Sequence, residues 1–123
     1  MPKRSYEEAF AKLESGSHQY AIGKLSKVIG QMKEECQGWA QTFEDGADKL
    51  SALRKKVLGD ALTAADIALS EADLCVKAMA EKDLIVEWVH KLINIRSDLR
   101  DNTFPQIGFW CPDPLACMNN PYE

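Results

Sequence analysis

The sequence predicts an all-α fold: a long antiparallel helical hairpin of the coiled-coil or helical-bundle type, with a short N-terminal helix and a Pro- and aromatic-rich irregular C-terminal tail. Three observations predict it. His18, Ile22, Leu25, Ile29, Met32, Cys36, Trp39, Phe43, Gly46, Leu50, Leu53 and Val57 follow one another at alternating steps of four and three, the spacing of a seam that packs knobs into holes. Leu62, Ala65, Leu69, Ala72, Val76 and Met79 make a second such set. Apart from ambiguous apolar pieces in the tail, no segment alternates apolar and polar residues with the period of two that strands require.

The length of 123 residues fits one domain, 1–123. Hydrophobic residues at 46% and charged residues at 28% are the balance of a folding chain rather than a disordered one. Its longest strongly apolar run, Leu84-Ile85-Val86, is far too short to span a bilayer, so no membrane partner is expected.

The first helix is expected over 5–14, where Ser5 and Glu8 stand at capping-box spacing. Ser15-Gly16-Ser17 then breaks it. A long helix over 17–58 carries the heptad seam, with Leu25, Ile29, Met32, Trp39, Phe43, Leu50, Leu53 and Val57 as core or dimer-seam residues. Gly46 is its weak point: either a partner backbone approaches closely there, or the helix ends and restarts. Lys55-Lys56 reads as its cationic C-terminal end, and a tight reversal is expected near Gly59. Thr63-Ala64-Ala65-Asp66 reads as a secondary cap at the start of the second long helix, over 61–100.

From Leu84 onward this helix carries two stripes, one of Leu84, Trp88, Ile95 and Leu99 and another of Ile85, Val89, Leu92 and Ile93. Two stripes need two neighbours. A hairpin cannot enclose both, so self-association into a homodimer is expected, with a monomeric bundle as the alternative if the first long helix breaks and folds back. The segment 101–123 reads as a docked tail: from Phe104 on it holds four aromatics and four prolines but only two acids, unlike a disordered segment.

The formal net charge of −4 argues against a chain that works by neutralising phosphates, so direct nucleic-acid binding is not expected. Charge is blocked along the chain, with Glu34 to Asp48 acidic and Lys49 to Lys56 basic. Such blocks read as solvated helix faces and can also set register between helices of complementary sign. The adjacent pairs Glu7-Glu8 and Glu34-Glu35 read as surface charges, because neighbours on a helix point about 100° apart and share no proton. The first residues run into acids instead of an apolar segment, so a cytoplasmic location is expected. Reduced thiols follow from that compartment for Cys36, Cys75, Cys111 and Cys117, with a Cys111–Cys117 disulfide or a zinc site that also uses His90 as alternatives.

No set of residues at catalytic spacing stands out, so the chain is read as not an enzyme and as needing no cofactor. The expected function is that of a protein–protein interaction module, a regulator, inhibitor or scaffold that binds another protein. Its partner-binding residues are read as Trp88, Phe104, Phe109, Trp110 and Tyr122, since large aromatics anchor interfaces. Two alternatives stand beside this reading. Asp83, Glu87 and His90 share one helix face at the Glu-x-x-His step of bundle metal sites, which a dimer would double. The acidic stretches Glu34 to Asp48 and Asp60 to Asp83 would suit a decoy that blocks a nucleic-acid-binding protein.

Overall fold

The computed structural model describes residues 2–46 and 50–106, and every regular element among them is helical. Helix α1 spans Pro2–Ser15, α2 His18–Gly46, α3 Ala52–Lys77 and α4 Lys82–Asp98. A π-helical turn, Leu99–Thr103, then leads into the short α5, Phe104–Gln106. The all-α class is as expected, but the two-helix hairpin is replaced by three long helices that all pack on one another.

The breaks fall where side chains and backbone amides can close the helix ends. Ser17 caps α2, its hydroxyl accepting the Tyr20 N–H at 3.1 Å. The helix expected over 17–58 divides after Gly46, and Ser51 starts α3 by accepting the Arg54 N–H at 3.2 Å. Gly59 is not a reversal. It lies inside α3, because Leu58, Ala65, Leu69 and Ala72 bury one continuous face, and that burial outweighs the roughly 1 kcal/mol a mid-helix glycine costs. Lys55 and Lys56 therefore sit near the N-terminal end of a helix rather than its C-terminal end, and Thr63 is an interior residue rather than a cap. Helix α1 also begins before Ser5, which places that residue inside the helix rather than at its cap.

The helix expected over 61–100 divides at 78–81 instead. Ala80 N–H donates to the Cys75 carbonyl and Met79 N–H to that of Val76, the paired bonds of a Schellman ending. Met79 takes the left-handed position at φ 51°, where glycine is usual. Because the sequence has no glycine there, it gives no sign of this reversal. A side chain in this conformation is strained by about 1–2 kcal/mol. Met79→Gly is accordingly expected to raise stability by about 0.5–1 kcal/mol in urea unfolding, less than the full strain because glycine also loosens the unfolded chain.

Two buried clusters lie along the bundle. The larger joins Leu13 of α1 to Ala21, Leu25, Val28, Ile29 and Met32 of α2, Ala68, Leu69 and Ala72 of α3, and Ile85, Val89, Leu92 and Ile93 of α4. The smaller gathers Trp39, Leu58, Ala65, Leu99 and Phe104. These memberships run α2 and α4 parallel, with α3 antiparallel between them. The second stripe of α4 is thus the core stripe, and α2 and α3 are the two neighbours it needs.

The α1–α2 junction is tied to the α3–α4 turn. His18 Nε2 donates to the Ala80 carbonyl at 2.6 Å, and Lys82 Nζ donates to the Glu14 carbonyl at 2.6 Å. The second bond satisfies one of the open carbonyls at the end of α1.

Candidate functional site

The heptad seam holds through α2 and fails after it. Leu25, Ile29, Met32 and Trp39 are buried, while Phe43 and Leu50 are partly buried against the smaller cluster. Leu53 and Val57 are 72% and 40% exposed, which corrects their place in this chain's core. Once the helix breaks, α3 chooses its own phase, and Leu58 rather than Val57 turns inward.

What α3 leaves outside is itself ordered. Leu53, Val57, Asp60, Ala64, Ile67, Glu71 and Leu74 lie at steps of four and three, and every one is exposed, with Ile67 at 55% and Leu74 at 65%. That is a second heptad stripe on the side of α3 turned away from α2 and α4. Outward positions on the neighbouring helices differ: Lys27, Lys33, Glu34, Gln37 and Gln41 on α2, and Asp83, Glu87, Lys91 and Asn94 on α4. Both spacings can be read from the sequence, but only one of the two can face inward on α3.

Phe104 does not face a partner. It is 2% exposed and meets Trp39 edge to face at 4.9 Å and 77°, which corrects its reading as a binding residue. The π-helical turn delivers it, Phe104 N–H donating to the Leu99 carbonyl, one residue further back than in an α-helix. Trp88 is half-buried on the larger cluster, with Lys91 Nζ 4.8 Å above its ring. Phe109, Trp110, Tyr122, Cys111 and Cys117 lie outside the described residues.

The metal-site alternative would use Asp83, Glu87 and His90, doubled across a dimer. Among the described residues no three His, Cys, Asp or Glu side chains converge as metal ligands would. Glu87 pairs with Lys91 at 3.2 Å, and His90 stacks on Phe10 at 4.1 Å with its Nε2 3.8 Å from Glu14.

Glu35 is not a surface charge. Both Glu35 and Arg96 are only 4% exposed, and Arg96 Nε donates to both carboxylate oxygens at 2.9 Å. The pair lies between the two apolar clusters, one helical turn from Met32 and Trp39 on α2 and from Ile93 and Leu99 on α4. Burial pushes the Glu35 carboxyl above its ordinary value, and the Arg96 hydrogen bond and charge, with the charge of Arg100, pull it back only partly.

The same burial acts on Cys36 next to it. Desolvation first, then the charges of Glu35 and Asp66, push this thiol up to about 12. It carries almost no thiolate at neutral pH and should not react as a nucleophile. Alkylation by iodoacetamide at pH 7, read by peptide mass spectrometry, is expected to modify Cys36 only as fast as the chain opens. Immediate modification of the folded chain would contradict this.

No helix among the described residues is long and apolar enough to cross a membrane. No protein-family model, curated protein or solved structure matches the chain.

Proposed function

We propose that the chain is a non-enzymatic interaction module that binds another protein in the cytoplasm and regulates, inhibits or scaffolds it, itself working as a homodimer. One observation carries this reading. The bundle completes its own core with the inner face of α3, yet Leu53, Ile67 and Leu74 remain more than half exposed in a row on its outer face. Scattered exposed leucines are ordinary, but a row at heptad spacing on one helix is the pattern of a surface that pairs. The aromatic residues Phe109 and Trp110 of the tail supply a second docking element of the kind that anchors interfaces.

The experiment is retention of a partner by the tagged full chain from its native cell, with the intact assembly weighed by mass spectrometry. The expected result is a second protein at fixed stoichiometry, lost from the Phe109→Ala, Trp110→Ala chain while far-ultraviolet dichroism stays unchanged. Retention of the partner by that variant would remove the tail as the docking element. If no second protein is held at fixed stoichiometry, the module reading fails.

A further inference from the structure

We infer that the bundle opens in two stages, with the layer of the Glu35–Arg96 pair as the boundary: the end built on Trp39, Leu58, Ala65, Leu99 and Phe104 comes apart by itself while the larger cluster stays closed. This opening needs no partner, so it goes beyond the interaction-module reading and does not depend on it.

Three observations meet at one level of the bundle. Between α2 and α4 the apolar packing is interrupted by charge, since the buried pair lies between Met32 and Ile93 of the larger cluster and Trp39 and Leu99 of the smaller. On one side of α3, an open groove of about 460 Å³ is lined by Cys36, Gln37 and Ala40 of α2 and Leu62, Asp66 and Leu69 of α3. On its other side, a groove of about 330 Å³ is lined by Ala61 and Ala64 of α3, Ile95 and Asp98 of α4 and Leu99 of the π-helical turn. Helix α3 is thus loosely joined to both neighbours where the ion pair divides them. The apolar bridge across this level is thin: among the described residues, only the partly buried Cys36 and Ile95 pack against both clusters.

A continuous apolar core opens as a whole, because parting it anywhere returns to water a surface that water disfavours. A buried ion pair behaves differently. Each ion regains on exposure the hydration it lost on burial, and this offsets the attraction given up. A break through the charged layer is therefore the least unfavourable way to divide the bundle. The two sides are also unequal, with thirteen buried side chains in the larger cluster and five in the smaller among the described residues. Regions with fewer buried apolar contacts open first.

Native-state amide exchange of the full chain in low, rising urea tests this, and two glycines make the test decisive. Gly59 lies beside Leu58 on the smaller side and Gly30 beside Ile29 on the larger, and a β-carbon built on either meets nothing within 4 Å. Alanine at each position therefore stabilises its own stretch of helix without crowding it. In the natural chain, amides over 58–65 and 99–106 are expected to share one opening, at least about tenfold more frequent than that of 85–93 and with a shallower urea slope. Gly59→Ala should slow exchange at 99–106 and at 85–93 alike by about fivefold, since both stages release it. Gly30→Ala should slow 85–93 by the same factor and leave 99–106 unchanged, since the first stage keeps it folded. Glu35→Leu with Arg96→Met, which replaces the charged layer by apolar packing, should bring the two sets together.

Protection lost at both ends in one step with one urea slope overturns the proposal, as does a Gly30→Ala effect at 99–106 equal to that at 85–93. Exchange at 99–106 indifferent to Gly59→Ala also overturns it, because that segment would then merely fray. Sets that stay as far apart in the Glu35→Leu, Arg96→Met chain overturn the ion pair as the boundary.

Discussion

Arg96→Met is expected to lower the unfolding free energy by about 3–5 kcal/mol, because it strands the Glu35 carboxylate inside the bundle. The double variant Glu35→Leu, Arg96→Met is expected to be neutral or more stable than the natural chain by about 1–4 kcal/mol, since apolar side chains there would join the two clusters into one. Urea unfolding of both variants and of Glu35→Leu closes the cycle. A single variant that costs less than 1 kcal/mol would mean that water reaches the pair.

The pH dependence supplies an independent readout. Glu35 titrates above its ordinary value in the folded chain, so the folded state holds this proton more tightly than the unfolded state. Its contribution to stability is complete below the unfolded value and is lost as pH rises through the folded one. Arg96→Met removes the hydrogen bond and the nearest charge that pull the value down and leaves burial opposed only by the charge of Arg100, so the loss extends to higher pH. That variant is expected to gain more stability than the natural chain when taken from neutral to mildly acidic pH. The opposite slope would show that Glu35 is not the group left unpaired.

This pair also shows how far the residues speak for themselves. An arginine flanked by Leu92, Ile93 and Leu99 on one stripe, and a glutamate between Met32 and Trp39 on another, can be found by spacing. Their pairing cannot, because it depends on α2 and α4 running parallel, and that depends on where the chain turns. The all-helical class and the inward face of α2 were readable because heptad spacing reports burial directly. The turns were not. Gly59 looked like a break but is carried through by the buried face on either side of it, whereas the reversal at Met79 is made by backbone geometry without the glycine that usually marks it. Carrying the seam of α2 on past Gly46 put Leu53 and Val57 on the core side and hid the outer stripe to which they belong. Function is further from the residues still: the same stripe reads as core or as interface until the helix that owns it has been shown to have a core elsewhere.

Trp39→Ala is the second large effect, expected at about 3–5 kcal/mol. Trp39 is 2% exposed and is the largest buried side chain among the described residues. The smaller cluster depends on it, since Leu58, Ala65, Leu99 and Phe104 otherwise bring only modest volume to that end of the bundle. Against a typical total of about 5–15 kcal/mol for a domain, the loss is large enough to populate partly open forms. It should be local first: amide exchange is expected to rise over 99–106 before it rises over 85–93, because the larger cluster does not contain Trp39. A double-mutant cycle with Phe104→Ala should return a coupling of about 0.5–1.5 kcal/mol for the edge-to-face contact. Leu53→Ala, by contrast, should stay within about 0.5 kcal/mol in the dilute monomer. If Phe104→Ala proved as mild as Leu53→Ala, Phe104 would belong on the surface, and the π-helical turn would have no core residue to deliver.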